Sequence, residues 1–149
     1  MTPGSPAAGL SWMLSCLTGR VETILERAMP HGSVLVVEDD PDVRDALATV
    51  LETEGYDVAK ACDGQDALGQ LRASSIPSLI LLDLYMPVMN GWAFRAEQLR
   101  DPKLASIPVV VVSADSMVAK RAADLGAAGY VGKPIDFDRL LTLVATHCS

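Results

Sequence analysis

The stretch Leu79-Ile80-Leu81-Leu82-Asp83 places a carboxylate directly after four consecutive apolar residues. An apolar run without alternation is typical of a strand that is buried on both faces of a parallel sheet. A carboxylate at the end of such a strand is costly unless it has a partner or a chemical task. The stretch therefore predicts a buried strand with a functional group at its carboxyl end.

Similar apolar runs recur on both sides of this one, with amphipathic stretches between them. The runs occupy residues 34–37, 56–61, 79–82, 109–112 and 130–131. After the first run, Asp40-Pro41 offers a helix N-cap and a proline at the first helical position, and Gly55 ends that helix. Five strands alternating with five helices predict a doubly wound α/β fold with a parallel sheet covered on both faces. If this five-stranded sheet has the flavodoxin-like order 2-1-3-4-5, the first and third strands are neighbours, and so are the third and fourth.

Polar residues follow four of the five runs. Because the carboxyl ends of parallel strands meet at one edge of the sheet, these residues are expected to lie together. The group consists of Glu38, Asp39, Asp83, Ser113 and Lys133. Carboxylates at such short distances repel each other, and Mg²⁺, which favours one or two carboxylates with water and phosphate, removes that repulsion.

This residue set fits one reaction. With the metal neutralising charge, the Asp83 carboxylate can act as a nucleophile towards a phosphoryl group. Lys133 offers a positive charge to the phosphoryl oxygens, and the Ser113 hydroxyl offers a hydrogen bond. The sequence therefore predicts transfer of a phosphoryl group onto Asp83.

Four blocks of sequence carry a family resemblance, in order and at family-like spacing. They are Val36-Val37-Glu38-Asp39-Asp40, Leu82-Asp83-Leu84-Tyr85-Met86-Pro87-Val88-Met89-Asn90-Gly91, Val112-Ser113-Ala114 and Gly129-Tyr130-Val131-Gly132-Lys133-Pro134. Together they resemble the receiver domains of two-component response regulators. The resemblance predicts a receiver domain over residues 33–149, preceded by an extension of residues 1–32.

The resemblance implies a role for each matching position. Asp83 matches the phosphoacceptor. Asp39 matches the direct carboxylate ligand of Mg²⁺, for which Mn²⁺ is a substitute, and Glu38 matches a ligand that acts through water. Asp83 itself and the backbone carbonyl of Tyr85 complete the implied metal contacts.

The remaining implied roles concern the response to phosphorylation. Ser113 matches the hydroxyl residue that turns towards the phosphoryl group, and Tyr130 matches the aromatic residue whose ring then moves inward. Lys133 matches the lysine of the site, followed by a cis peptide bond to Pro134. Phosphorylation is expected to shift the loop after the fourth strand and so to alter the surface that partners bind.

The function implied is a signalling switch and not a turnover enzyme. The phosphoryl donor is expected to be a sensor histidine kinase or a histidine phosphotransfer protein, and the downstream target is an unidentified protein. We expect no output domain, because the sequence extends only one helix beyond Lys133-Pro134. A monomer or weak dimer is expected.

Bulk composition narrows the class of partner and the compartment. The formal net charge of −7 makes nucleic acid a poor partner. No apolar run approaches the roughly 20 residues needed to span a bilayer, so no membrane insertion is expected. Three cysteines without a C-x-x-C pair suggest reduced thiols and a cytoplasmic location.

Residues 1–32 lie outside the resemblance. The pattern of apolar residues in this segment predicts a helix over about residues 9–28. Its stripe consists of Leu10, Leu14, Leu17, Val21, Ile24 and Ala28, at heptad-like spacing. The segment is interpreted as a helix that packs on its own domain, or as an extension from an upstream start codon with Met29 as the alternative start. A dimerisation or docking helix is the third interpretation.

Two other functional classes share the predicted fold and are disfavoured. A phosphohydrolase of the haloacid dehalogenase type needs a second aspartate two residues after the first, where Tyr85 stands. A flavodoxin-like cofactor carrier needs a phosphate-binding loop rich in Ser, Thr or Gly after the first strand, and none is present. Tyr85 and Asp115 are instead interpreted as residues that tune the lifetime of the phosphorylated state, with Tyr85 shielding the acyl phosphate from hydrolysis.

Overall fold

The computed structural model describes residues 32–148, in which five strands and five helices alternate. In chain order they are β1 (Ser33–Val37), α1 (Pro41–Thr53), β2 (Asp57–Ala61), α2 (Gly64–Ala73), β3 (Leu79–Leu82), α3 (Gly91–Arg100), β4 (Val109–Ser113), α4 (Val118–Asp124), β5 (Gly129–Gly132) and α5 (Phe137–Cys148). The helix predicted over about residues 9–28 lies outside the described residues.

The strands form one parallel sheet in the order β2-β1-β3-β4-β5, which confirms the predicted topology. β1 pairs with both β2 and β3, and β4 joins β3 to β5. This order brings the ends of β1, β3 and β4 together at the centre of one sheet edge. The topology therefore places the residues that follow these strands side by side.

Two hydrophobic layers cover the faces of the sheet. Alternate residues of a strand point to opposite faces, so Leu35 and Val37 join the layer that contains Phe94 of α3. Val34 and Val36 join the layer formed with α1 and α5. The central strands are apolar without alternation because both faces are covered.

Local sequence explains where the first helix begins. The side chain of Asp40 accepts hydrogen bonds from the backbone N–H groups of Asp42 and Val43, and Pro41 occupies the first helical position. This confirms the predicted cap. Other boundaries differ slightly from the predicted ones, since β4 includes Ser113 and β5 runs from Gly129 to Gly132.

Candidate functional site

Three carboxylates meet at the carboxyl edge of the sheet. Glu38 and Asp39 follow β1 and Asp83 follows β3, and one oxygen of each lies within 4.8 Å of the others. We call these three residues the acidic rim. The backbone N–H of Asp83 donates to Val37 O at 3.0 Å, which ties the two strand ends together. Asp83 is only 6% exposed and Glu38 is buried, while Asp39 is exposed.

Lys133, after β5, supplies the cation that contacts the carboxylates of the acidic rim, while the Arg44 guanidinium donates to the backbone carbonyl of Glu38 at 2.9 Å. The Lys133 Nζ donates to Glu38 Oε1 at 2.5 Å and lies 3.6 Å from Asp83 Oδ2. Burial, together with the neighbouring Asp83, raises the pKa of Glu38 to about 8. Burial opposes the charge on Lys133, but its hydrogen bond to Glu38 and the charges of both carboxylates outweigh burial and raise its pKa.

The donor set of the acidic rim fits a hard divalent cation. Mg²⁺ prefers oxygen ligands and commonly uses one or two carboxylates together with water. The rim offers three carboxylates against the single ammonium group of Lys133. A divalent cation would therefore relieve a surplus of negative charge that the low exposure of Glu38 and Asp83 makes costly.

The loop between β3 and α3 passes very close to the backbone of Asp83. A Cβ atom on Gly91 would lie 2.6 Å from the carbonyl oxygen of Asp83, so glycine is required there. The Gly91 N–H donates to Leu84 O at 2.9 Å, and the Asn90 side chain caps α3 by accepting from Ala93 N–H. Asp83 is thus positioned by the start of α3 as well as by the sheet.

Two residues of this loop are unusual, Val88 in its backbone conformation and Tyr85 in the contacts of its exposed side chain. Val88 has φ of 68° and is 77% exposed, although the left-handed region is unfavourable for a β-branched residue. The Tyr85 side chain is 54% exposed, yet its hydroxyl donates to Asp115 Oδ2 at 2.5 Å. Its ring also meets Trp92 edge to face, with 5.2 Å between the ring centroids.

Asp115 connects this loop to α4. Its carboxylate also accepts from Arg121 Nε at 3.3 Å and from the Met117 N–H at 2.8 Å. The hydrogen bond from Tyr85, followed by that from Met117, lowers the pKa of Asp115. Two positions that the sequence singled out separately therefore belong to one network.

The residues expected to respond to phosphorylation lie beside this network. Ser113 is fully buried, and its hydroxyl oxygen accepts from the Asp115 N–H at 3.2 Å. Tyr130 is partly buried, with the Arg139 guanidinium 4.8 Å from its ring centroid. The Lys133-Pro134 peptide bond is cis, as the resemblance predicts.

Sequence analysis missed two buried polar residues on α3, Arg95 and Gln98. The signal that could have found them is helical spacing. Gly91, Phe94, Arg95 and Gln98 recur at intervals that place them on one face of α3, and all four are buried. Phe94 is fully buried at this spacing, and its two polar neighbours lie on the same face of the helix.

Comparison with known proteins gives a consistent result. The family described as "Response regulator receiver domain" matches residues 34–145. The chain is 36% identical over 114 residues to the DNA-binding dual master transcriptional regulator RpaA of Synechocystis, a match that covers 74% of this chain and 46% of RpaA. It is 32% identical over 116 residues to Protein PilH of Pseudomonas aeruginosa, covering 74% of this chain and 93% of PilH.

Solved structures show the same fold. A putative response regulator from Chloroflexus aurantiacus superposes with a TM-score of 0.74 at 26% identity, covering 80% of this chain and 98% of that protein.

The match to RpaA spans less than half of that regulator's length. Within residues 32–148, each helix is too short or too polar to cross a membrane.

Proposed function

This chain belongs to the response regulator receiver domain family, and on that premise we propose that it is a phosphorylation switch with Asp83 as its phosphoacceptor. The observation that carries the proposal is the buried Asp83 carboxylate, which is grouped with Glu38 and Asp39 within 4.8 Å and lies 3.6 Å from Lys133 Nζ. Receiver domains are signalling switches and not turnover enzymes, which suits a site of this kind.

The reaction assigned to Asp83 is a single phosphoryl transfer. A carboxylate oxygen of Asp83 attacks the phosphorus of a phosphohistidine on the donor protein, and the bond from phosphorus to the imidazole nitrogen breaks. The product is an acyl phosphate on Asp83 and a free histidine on the donor. With acetyl phosphate the same attack releases acetate. Water attack on the acyl phosphate later restores the carboxylate.

The residues that would hold Mg²⁺ are Asp39, Asp83, the backbone carbonyl of Tyr85 and, through water, Glu38. Mn²⁺ is the natural substitute because it also favours carboxylate, carbonyl and water ligands. When bound, the ion supplies charge that neutralises the acidic rim and the transferring phosphoryl oxygens. The exposed position of Asp39 leaves the rim open to solvent on that side.

Lys133 and Ser113 stabilise the phosphorylated product. The Lys133 ammonium, which already lies between Glu38 and Asp83, offers a charge-assisted hydrogen bond to a phosphoryl oxygen. Ser113 exchanges its hydrogen bond with the Asp115 N–H for one to the phosphoryl group. The space that it leaves admits the Tyr130 ring, and the loop that carries Asp115 moves.

The partners follow from this chemistry. The phosphoryl donor is a sensor histidine kinase or a histidine phosphotransfer protein, and the receiver of the signal is a protein that distinguishes the two forms of the surface around α4, β5 and α5. Relay of the phosphoryl group to a further histidine protein is an equivalent use of the same site. We place these reactions in the cytoplasm, with no nucleic-acid partner and no membrane insertion.

Intact-mass spectrometry after incubation with acetyl phosphate tests the proposal. We expect one phosphoryl adduct that requires Mg²⁺ and disappears in Asp83→Asn, which keeps the shape of the side chain and removes the nucleophile. Asp124→Asn is the matched control, because Asp124 is an exposed aspartate on α4. A folded protein without an adduct, or an adduct that survives in Asp83→Asn, would overturn the assignment of Asp83.

A further inference from the structure

Arg95 is a buried cation on α3 that is held by oxygen atoms of neutral groups. It is 7% exposed, and its guanidinium donates from Nε to Leu125 O at 3.0 Å and from Nη2 to Gly126 O at 3.1 Å. A third bond runs from Nη1 to the side chain of Gln98 at 2.8 Å. Among residues 32–148, no carboxylate lies within ion-pair distance of this guanidinium.

Gln98 extends these contacts to a third segment. Its side chain is fully buried, and its Nε2 donates to the carbonyl oxygens of Leu104 and Ile107, each at 3.0 Å. Arg95 and Gln98 therefore join α3, the segment after α3 and the carboxyl end of α4. We call this pair the Arg95–Gln98 clamp. The buried side-chain polar atoms of residues 32–148 all have partners, so the clamp is fully satisfied.

The position of the clamp suits the end of a short helix. The last carbonyl groups of a helix have no partner within the helix, and a positive charge is favourable there. α4 has only seven residues, and Arg95 donates to the two carbonyl groups that follow Asp124. The carboxyl end of α4 is thus held by two charge-assisted hydrogen bonds from a guanidinium that is itself buried.

The other end of α4 is held differently. Its N-cap residue, Met117, makes no side-chain capping bond, and the Met117 N–H instead bonds to the Asp115 side chain at 2.8 Å. Asp115 in turn contacts the exposed Tyr85 hydroxyl. The bonds of the Asp115 carboxylate, including its ion pair with Arg121 of α4, are charge-assisted too, but those from Tyr85 and Met117 are exposed, and water readily replaces an exposed bond. The amino end of α4 is therefore the end that is easier to move.

From this asymmetry we propose that the Arg95–Gln98 clamp fixes the carboxyl end of α4 during the switch, so that phosphorylation moves the helix from its amino end. Gly126, with φ of 65°, lies at the clamped end, where the chain turns towards β5. The clamp determines which residues of the surface change and which stay in place. This inference rests on the proposed phosphorylation of Asp83.

Hydrogen exchange of backbone amides in the full chain tests the inference. The probe is Mg²⁺ with beryllofluoride, a stable mimic of the phosphoryl group, compared with Mg²⁺ alone. In the parent protein we expect exchange rates to change in residues 114–121 and to stay the same in residues 122–127. Changes of similar size in both segments, or in neither, would overturn the inference.

Arg95→Met keeps the length and apolar stem of the side chain and removes its three donors. We expect amides of residues 122–127 to exchange about tenfold faster or more in this variant, because charge-assisted buried hydrogen bonds are lost. The change caused by beryllofluoride should then spread across residues 114–127. A change that stays within residues 114–121 would show that Arg95 does not fix the helix end.

Arg100→Met is the matched control, because Arg100 lies on the same helix and its side chain is 78% exposed. In the Arg100→Met variant, the backbone amides of residues 114–121 and 122–127 should exchange at the same rates as in the parent protein. If Arg95→Met does not fold, the parent measurement decides the question alone. Mass spectrometry with acetyl phosphate separates the two proposals, since an adduct without the expected exchange pattern contradicts the clamp and leaves the phosphorylation of Asp83 intact.

Discussion

The hydroxyl of Tyr85 lies 2.5 Å from Oδ2 of Asp115 and so joins the loop after β3 to the loop after β4. Both residues lie two positions beyond a residue of the proposed site, Asp83 and Ser113. The Trp92 ring supports the Tyr85 ring from one side. This arrangement holds an exposed aromatic ring two residues after Asp83, the proposed phosphoacceptor.

We expect Tyr85→Asn to lose its phosphoryl group several-fold faster than the parent protein. The smaller side chain no longer covers the acyl phosphate, so water reaches it more easily. The decay of the phosphorylated form after removal of acetyl phosphate, followed by intact mass, measures the effect. Tyr85→Phe keeps the ring and its contact with Trp92, so its decay should lie nearer to that of the parent. A Tyr85→Asn protein that decays no faster would contradict the shielding role.

Gly91→Ala should destabilise the protein by about 1–3 kcal/mol, which is typical of forcing extra atoms into a packed site. The added Cβ would lie 2.6 Å from Asp83 O and 2.8 Å from the Cα of Leu84. Urea unfolding followed by circular dichroism measures the change. We also expect slower phosphorylation by acetyl phosphate, because the backbone of Asp83 must shift.

Gly69→Ala is the control for that substitution and should change stability in the opposite direction. Gly69 is an exposed residue within α2, and a Cβ atom added there would meet no other atom within 4 Å. Alanine is favoured over glycine inside a helix by about 0.5–1 kcal/mol. If both alanine variants lost stability equally, close contact at Gly91 would not be the cause.

Val88→Asn should stabilise the folded protein by about 0.5–1 kcal/mol. The left-handed backbone conformation raises the free energy of an ordinary residue by roughly 1–2 kcal/mol. Asparagine tolerates this conformation better than a β-branched residue does. Little packing is lost, since Val88 is exposed. Thermal and urea unfolding of the two proteins provide the measurement, and an unchanged or lower stability would argue against strain at this position.

Asp66→Asn should cost about 1 kcal/mol near neutral pH, as the loss of a helix-capping charge commonly does. Asp63 caps α2 by accepting from the Asp66 N–H at 2.8 Å, and the Asp66 carboxylate accepts from the Cys62 N–H at 3.0 Å. The bond from Cys62 is the largest cause of the lowered pKa of Asp66. The folded state therefore favours the ionised carboxylate.

The sign of this shift sets the pH dependence. The ionised Asp66 carboxylate makes its full contribution to the free energy of unfolding above its ordinary pKa of 3.8. That contribution is lost as the pH falls through the lower pKa of the folded state. The difference between the parent and Asp66→Asn should thus shrink as the pH falls from neutral to below 3.8. A difference that stayed constant over this range would mean that the loss of the carboxylate charge does not explain the lower stability of the variant.

The pattern of apolar residues along the sequence predicted the fold well because each central strand is covered on both faces. A run such as residues 79–82 then admits few interpretations other than a buried strand, whereas the order of the strands was taken from the flavodoxin-like fold. The ends of the strands were predictable because each apolar run ends at a polar residue. The close approach of Glu38, Asp39 and Asp83 then followed from the order of the strands.

Contacts that depend on loop conformation were not predictable. The bond between Tyr85 and Asp115 requires two loops to approach, and neither position alone signals the other. Val88 takes a left-handed conformation without the glycine that would announce it. Arg95 lies at a helical spacing that indicates burial, but the sequence does not show which carbonyl groups receive its hydrogen bonds.

Lys133 and Glu38 are separated by 95 positions in the chain, yet a direct hydrogen bond joins them. The carboxylates of the acidic rim therefore gain the Lys133 ammonium only after β5 has paired with β4. During synthesis, a chain that ended before residue 129 would present Asp83 without that lysine. In the proposed switch, Lys133 can act at Asp83 only after β5 has paired with β4, so the site is complete only when the whole sheet has assembled.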